Sequence, residues 1–277
     1  MYLGIDVGGT KTLVGLIDGN GVIHHSQRFP TPKNYDDFKQ QLSETVAKMS
    51  TDEFDAVAIG VPATHLDRTN GIGRHFGNLP WQDVELRDDL AELFGCPAVL
   101  ENDAKLACLS EAMLRKDQSR VLYVTISTGI GYALCVNRQI DTNIGDGGGA
   151  MLLLEHRGKL VPWESFASGH AIVERFGKKA ADITDDATWQ RIAHDLSMGF
   201  LELIAITEPD VIVIGGSVGT YFERLQPHLQ AALSRHQTPL LTIPPMEKAR
   251  RPEEAVLYGC YDLISQVYGK HRQYSTR

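Results

Sequence analysis

One pattern occurs twice in this chain and narrows the folds open to it: a short apolar strand, a turn of small residues, and a second apolar strand. The first copy begins at Leu3 and turns at residues 8–11, and the second begins at Leu122 and turns at residues 127–131. Apolar runs on both sides of a small-residue turn are typical of an antiparallel hairpin. Two such hairpins predict a duplicated α/β unit.

The rest of the chain alternates between helix and strand patterns. Apolar residues that recur every three or four positions predict helices over residues 36–49, 83–94, 189–206 and 254–268. Short apolar runs predict strands over residues 56–61, 98–100 and 211–214. This alternation is typical of the α/β class.

Because no low-complexity linker separates the halves, we expect two α/β lobes with a central cleft between them. The first is a small N-terminal lobe over residues 1–115, onto which a C-terminal helix at about 255–277 packs back. The second is a large C-terminal lobe over residues 116–254.

Composition excludes several classes of protein. Lys and Arg number 27 against 35 Asp and Glu, a net charge of −8, whereas a duplex DNA binder carries a basic stripe. The four cysteines form no CxxC pair, so neither a disulfide framework nor a cysteine zinc cluster is expected. The N-terminus lacks the pattern of a signal peptide, and no apolar run reaches the roughly 18–20 residues that cross a bilayer. We expect a cytoplasmic protein that binds neither nucleic acid nor membrane.

The first hairpin turn, DVGGTK at residues 6–11, carries groups that suit phosphate. Its glycines let the backbone approach a ligand, and its N–H groups with the Thr10 hydroxyl can hold phosphate oxygens. Asp6, at the end of a buried strand, can hold a hydrated Mg²⁺ beside those phosphates. The alternative is an ordinary hairpin with a Gly-Gly turn, because the run is neither a Walker loop nor GxGxxG.

The run ENDA at residues 101–104 follows a strand, at the end where open α/β sheets bind ligands. An adjacent amide and carboxylate suit the hydroxyls of a polyol. A carboxylate such as Asp103 can also act as general base on a hydroxyl during phosphoryl transfer. The alternative is an N-cap, with Asp103 capping a helix over residues 104–114.

Two further turns complete the set. The run TISTGIG at residues 125–131 is a second small-residue turn that could face the first across a cleft. The run GGS at residues 215–217 follows a buried strand and suits a nucleotide base, although such a run is also a common strand-to-helix joint. A kinase needs two phosphate loops, a carboxylate for the hydroxyl and a surface for the base, and these motifs occur together here.

Taken together, the chain resembles the ROK family of sugar kinases, within the superfamily that also holds hexokinase, actin and Hsp70. Residues 4–11 and 125–131 are similar to the family's phosphate motifs, residues 101–104 to its catalytic motif, and residues 213–216 to its adenosine motif. Residues 60–62, 78–81 and 163–169 resemble segments near the sugar. The resemblance implies a two-lobed, duplicated RNase H-like fold, also called the actin-like ATPase fold.

The resemblance also implies roles for individual residues. Asp103 would be the base that deprotonates the sugar hydroxyl. The sugar would contact Asn78, Asn102, Asp103 and Glu164. ATP would contact Asp6, Gly8, Gly9, Thr10, Lys11, Thr128, Gly129, Gly215 and Gly216. Mg²⁺ would accompany ATP, bound by Asp6 through water, and the chain would form a homodimer.

Two departures from the family pattern stand out. Many members carry a zinc site of one His and three Cys, but the matching stretch, residues 155–163, holds His156 and no cysteine, so no structural zinc is expected and His156 is expected to be a solvated loop residue. Gly147 and Ala150 stand where a sugar-binding Glu and His are expected, with Asp146 one position off. Three consecutive glycines also predict that this loop is flexible unless a ligand orders it. The substrate would then be a hexose other than glucose, or a bulkier hexosamine.

Two other functions stay open. A catalytically silent sensor that binds sugar or nucleotide would explain the missing contacts at Gly147 and Ala150. The family's repressors carry a DNA-binding domain before the first phosphate motif, which here begins at residue 4, so DNA binding is not expected. A kinase that uses polyphosphate would need a long basic groove, whereas basic residues here are scattered.

Overall fold

The computed structural model describes residues 1–49, 53–251 and 253–269. Its strands, in chain order, are β1 (Tyr2–Val7), β2 (Lys11–Ile17), β3 (Ile23–Pro30), β4 (Ala56–Val61), β5 (Ala63–Asp67), β6 (Ile72–Phe76), β7 (Gln82–Val84), β8 (Ala98–Asn102), β9 (Arg120–Ile126), β10 (Ile130–Val136), β11 (Gln139–Ile140), β12 (Leu153–His156), β13 (Lys159–Pro162), β14 (Val211–Gly215) and β15 (Met246–Lys248). Its helices are α1 (Tyr35–Met49), α2 (Leu86–Phe94), α3 (Asp103–Met113), α4 (Gly148–Met151), α5 (Glu164–Ala167), α6 (Gly169–Phe176), α7 (Asp186–Thr207), α8 (Gly216–Gly219), α9 (Phe222–Ser234) and α10 (Ala255–Tyr268), with a 3₁₀ turn at Ala180–Asp182. The part of the predicted C-terminal helix over residues 270–277 lies outside the described residues.

Two compact units divide the chain. The first comprises Met1–Met113 and Glu253–Arg277, and the second comprises Leu114–Pro252. Their main sheets have matching strand orders, β3-β2-β1-β4-β8 in the first unit and β11-β10-β9-β14-β15 in the second. In both sheets the first three strands are antiparallel neighbours and the last two are added in parallel. The duplication predicted from the two hairpins is therefore present in the topology.

Strands β4 and β14 are apolar along their whole length, as strands covered on both faces are. Strands β4 and β14 are completely buried. In the first unit α10 packs on α3, β1 and β4, while buried apolar residues of α1 and α2 join the core on the other face. In the second unit α7 packs on α9. The strand ends are consequently the places where polar groups can gather.

Sequence patterns located most elements within a few residues but missed others. The helix predicted over residues 83–94 begins only at Leu86, because Gln82–Val84 pairs with β6 and Asp83 takes a left-handed φ of 49°. The small sheet β5-β6-β7 and the hairpin β12-β13 have no counterpart in the predictions. None of the helices in the described part of the chain is long and apolar enough to span a membrane.

Candidate functional site

Two carboxylates come together at one edge of the first unit's sheet. Strands β1, β4 and β8 run parallel, and their register places Asp6 beside Gly60, which in turn pairs with Glu101. Asp103 begins α3 directly after β8. Because parallel strands end at the same edge, Asp6 and Asp103 lie on the side of the sheet where α/β proteins bind ligands.

The ionisation of Asp6 reflects this arrangement. Burial, and then the negative charge of Asp103, raise the pKa of Asp6 from 3.8 to about 7, although Arg28 opposes the rise. Two carboxylates that repel each other in a partly dry setting gain from a cation between or beside them. Mg²⁺ is typically held by one or two carboxylates together with substrate phosphates, so the residues present fit this ion.

The predicted phosphate turn of the first unit, residues 8–11, is held by a backbone hydrogen bond of its own and by Thr31, the residue that follows β3. Gly8 N donates to Lys11 O at 2.9 Å, which closes the turn between β1 and β2. Thr31 Oγ1 donates to Gly8 O at 2.8 Å and fixes it from outside. The side chains of Thr10 and Lys11 are exposed. The turn is therefore rigid and presents its hydroxyl and ammonium to solvent, as a phosphate site requires.

A lysine that sequence reasoning missed ties this turn to the loop that carries Asn78. Lys33 Nζ donates to Gly9 O at 3.0 Å and to Asn78 O at 3.3 Å. The backbone of Lys33 is itself anchored, since Trp81 Nε1 donates to Lys33 O at 3.1 Å. Asn78 is exposed. The predicted sugar contact and the predicted phosphate turn therefore lie side by side in the first unit, and no signal in the sequence marks Lys33.

The side chains of residues 101–104 have different hydrogen-bond partners. Glu101 is buried and receives the Arg68 guanidinium, with Nε to Oε2 at 2.8 Å. Asn102 Oδ1 accepts from Lys105 N at 3.2 Å, and Asn102 Nδ2 donates to Ala63 O at 3.0 Å. The capping alternative for Asp103 is met in part: α3 begins at Asp103 itself and Asn102 accepts from Lys105 N, while Asp103 Oδ1 accepts from Ala104 N at 2.8 Å.

Asn102 thus has a structural part as well as the predicted contact with sugar. Its side chain caps α3 and holds the end of β8 to β5, and only 5% of the residue is exposed. An amide oxygen has two lone pairs and an amide nitrogen two hydrogens, so each atom can make one further hydrogen bond. The role of Asn102 toward a sugar stays a prediction.

In the second unit the predicted nucleotide residues also meet at one sheet edge. Strand β14 runs parallel to β9 and pairs Gly215 with Thr125, so that Gly215 and Gly216 lie beside the turn that contains Thr128 and Gly129. Ser127 N donates to Gly129 O at 2.9 Å within that turn. Gly169 N, at the start of α6, donates to Ser127 O at 2.7 Å and so ties the turn to that helix.

Glu164 belongs to the same edge of the second unit. It begins α5, and its Oε2 accepts from Ile130 N at 3.2 Å. A Cβ added to Gly129 would lie 2.6 Å from that oxygen, so the turn must carry glycine for the carboxylate to approach. The structure therefore brings the predicted sugar-binding Glu164 against the second phosphate turn.

The glycine run at residues 147–149 leads into the short helix α4, where the sequence predicted a loop. Gly148 and Gly149 are buried in α4. Gly148 has a φ of 53°, and a Cβ there would collide with Ile130 O, while a Cβ on Gly149 would lie 3.3 Å from Glu164 Cβ. Small residues are needed because α4 packs directly on the second phosphate turn and on Glu164. Gly147 and Ala150, at the positions of the family's Glu and His, flank this contact.

His156 lies at the end of β12, in the segment that the resemblance matches to a zinc site. Its ring stacks on Phe166, with ring centroids 4.2 Å apart and an interplanar angle of 12°. It is thus a packed residue, and the expectation of a solvated loop position is wrong. Within the described ranges, no group of three or more His, Cys, Asp or Glu side chains could hold a metal ion.

Known proteins resemble the chain along most of its length. An N-acetylmannosamine kinase from Vibrio vulnificus is 30% identical over 258 residues, covering 81% of this chain and 86% of that protein. A glucokinase from Streptomyces coelicolor is 26% identical over 202 residues, and the match spans 67% of this chain but only 62% of that protein. These relatives are carbohydrate kinases.

Comparison of folds and families agrees with these matches. The crystal structure of a ROK family glucokinase from Streptomyces griseus, in complex with glucose and AMPPNP, has a TM-score of 0.81 at 21% identity and covers 96% of this chain and 99% of that one. This likeness, with the two matching sheets, confirms the α/β class and the duplicated actin-like ATPase fold. The family profile described as "ROK family" matches residues 2–267, and the chain therefore belongs to the ROK family.

Proposed function

We propose that the chain is an ATP-dependent sugar kinase that transfers the γ-phosphoryl group of Mg-ATP to a hydroxyl of a hexose or hexosamine, with Asp103 as general base. The observation that carries the proposal is the pair Asp6 and Asp103 at the carboxyl ends of β1 and β8. One carboxylate beside the phosphates and one beside the nucleophile is the minimum that phosphoryl transfer to an alcohol requires.

Asp103 suits the base. Its position at the first residue of α3, an 11-residue helix, places a carboxylate at the positive end of the helix dipole, which favours the ionised form that accepts a proton. The negative charge of Asp103 is one of the causes that raise the pKa of Asp6, as expected beside an ionised neighbour. Asp103 would then take the proton of the sugar hydroxyl as the hydroxyl oxygen attacks phosphorus.

The two small-residue turns suit the phosphates of ATP. Each is stiffened by its own backbone hydrogen bond, between Gly8 and Lys11 in the first unit and between Ser127 and Gly129 in the second. Preformed backbone donors stabilise phosphate charge without reorganising during the reaction. Mg²⁺ when bound would neutralise charge on the phosphates, and Asp6 is the residue that would hold it, through water. The bound AMPPNP of the Streptomyces griseus glucokinase supports ATP as donor.

The sugar contacts proposed are Asn78, Asn102 and Glu164, together with Asp103. Glu164 Oε2 accepts from the amide of Ile130, and the carboxylate has further lone pairs that can accept from a sugar hydroxyl. Gly147 carries only a hydrogen atom and Ala150 only a methyl group at the positions where the resemblance implies Glu and His. The N-acetylmannosamine kinase among the relatives supports an acyl-amino sugar as one candidate substrate.

The first experiment is ADP release with Mg-ATP over a panel of hexoses and N-acetylated hexosamines. Saturable turnover on one sugar is the expected result. Silence on every sugar, with sugar or nucleotide binding still measurable by calorimetry, would overturn the kinase proposal in favour of the catalytically silent sensor.

The second experiment tests the base. Asp103→Asn keeps the size of the side chain and removes the proton acceptor, so turnover should fall about 10²–10⁴-fold. ATP binding by calorimetry should stay near that of the wild type. Asp88→Asn is the matched control, because it makes the same chemical change in the same unit at a side chain that is 70% exposed. Near-normal turnover of the Asp103 variant would remove Asp103 from the mechanism.

The homodimer and the cytoplasmic location complete the proposal. Both follow from the family and from the sequence pattern rather than from a contact described above. Light scattering on the purified protein measures the first, and fractionation of cells measures the second.

A further inference from the structure

A cavity of about 590 Å³ in the second unit contains none of the residues assigned to the kinase reaction. The tip of the β12-β13 hairpin closes one side, and α6, α7 and α9 form the rest. Its charged lining is mainly cationic, since four arginines face two carboxylates, the arginines being Arg157, Arg175, Arg191 and Arg235. In a chain of net charge −8, such a concentration of positive charge requires an explanation.

Three of the four arginines have no carboxylate to neutralise them. Arg175 forms an ion pair with the buried Asp195. Within the described part of the chain, Arg157, Arg191 and Arg235 take part in no ion pair. Three guanidinium groups around one cavity repel one another, and an anion between them removes that repulsion and gains charge-assisted hydrogen bonds.

Two of the four arginines, Arg175 and Arg191, are held by neighbouring side chains. The guanidinium carbons of Arg175 and Arg191 each lie 5.1 Å from the ring centroid of Phe176. Arg191 Nη2 donates to Thr188 Oγ1 at 3.2 Å. Arg157 occupies a left-handed backbone position, φ 54°, at the tip of the hairpin. A side chain fixed before binding loses less entropy when a ligand arrives, so Arg191 is the best prepared of the three unpaired arginines to hold an anion.

We propose that this cavity is a second ligand site that binds a monophosphorylated sugar. The phosphate would take the guanidinium groups of Arg157, Arg191 and Arg235. Glu155 on the hairpin can accept from sugar hydroxyls, and Gln190 on α7 can accept or donate. The volume suits a small molecule, because ligand pockets usually measure about 300–1,000 Å³. A polyphosphate chain has no hydroxyls to match the carboxylates and needs an open groove.

Two residues that line the cavity contact the helix that carries Glu164. His156 stacks on Phe166, and Arg175 Nη1 donates to Phe166 O at 3.1 Å. Phe166 lies in α5, two residues after Glu164. Occupancy of the cavity would therefore tighten α5 and the position of Glu164. The proposal concerns binding and does not depend on whether the chain phosphorylates sugars.

The test is calorimetric binding of glucose 6-phosphate to the whole chain, with inorganic phosphate and tripolyphosphate as competing probes. The variant Arg191→Gln/Arg235→Gln removes two of the cations, and the loss of about tenfold in affinity for each should weaken binding about a hundredfold. The control variant Lys178→Gln/Lys179→Gln makes the same change in net charge in the same unit, away from the cavity. Thermal unfolding of each variant verifies that it is folded.

A second variant distinguishes binding in the cavity from binding at the proposed catalytic site. Asp103→Asn should keep the tight component of glucose 6-phosphate binding that Arg191→Gln/Arg235→Gln loses. Hydrogen exchange in the peptide containing α5 should slow on addition of glucose 6-phosphate to the wild type and stay unchanged in the arginine variant. Equal affinity of the arginine variant and the wild type, or binding of tripolyphosphate without binding of glucose 6-phosphate, would overturn the proposal.

Discussion

Removing Arg68 should destabilise the end of β8, which positions residues 101–104. Its guanidinium contacts both carboxylate oxygens of Glu101, whose side chain is only 6% exposed. Glu101 Oε1 also accepts from Asn102 N at 2.7 Å. In Arg68→Leu the Glu101 carboxylate remains buried without its guanidinium partner, so a buried charge is left uncompensated.

The size of the effect follows from burial. Breaking a fully buried ion pair by removing one partner costs about 3–5 kcal/mol, because a buried charge is left uncompensated. The Arg68 side chain is 26% exposed, so water can reach the gap and screen part of this cost. We therefore expect Arg68→Leu to lower the free energy of unfolding by about 2–3 kcal/mol.

Urea unfolding of four proteins measures this directly: the wild type, Arg68→Leu, Glu101→Gln, and the double variant. The double variant leaves no buried charge and should recover part of the stability that Arg68→Leu loses. Arg74→Leu is the control, because the Arg74–Asp67 pair is more exposed, and its loss should cost under about 1 kcal/mol. If Arg68→Leu and Arg74→Leu cost the same, the reasoning from burial is refuted.

Three further predictions concern the site and its surroundings. Because the pKa of Asp6 is raised from 3.8 to about 7, the native state holds more protons than the unfolded state between these values, and the contribution of this group to stability falls as pH rises through them. Relative to Asp6→Asn, the wild type should therefore lose about 2–3 kcal/mol in urea unfolding between about pH 5 and about pH 8, and a flat difference would contradict the shift. Gly148→Ala should cost at least about 1–2 kcal/mol because of its positive φ and the collision with Ile130 O, whereas Gly145→Ala, with nothing within 4 Å, should be neutral; equal thermal stability would argue against the packing of α4. Elemental analysis should find well under one equivalent of zinc, and a stoichiometric amount would show that the segment around His156 has been misread.

Local patterns predicted the elements that carry the site because those elements follow short-range rules. The continuous apolar run of β4 fits only a strand covered on both faces, and the helix after residue 188 shows the spacing of a buried stripe. These rules did not predict where α2 starts. The residues before it pair with β6, and this pairing outweighs their helix propensity.

The site divides in the same way. Short-range patterns indicate which residue types stand at the strand ends, since Asp6, Asp103 and the glycine turns follow strands whose direction the hairpins set. How these side chains are used depends on the fold: Asn102 and Asp103 both accept from the first turn of α3, Arg68 holds Glu101, and the glycine run packs as a helix on Glu164. The cationic cavity is likewise invisible in the sequence, because its arginines come from separate elements. Such juxtapositions depend on contacts between residues far apart in the chain, and no local pattern encodes them.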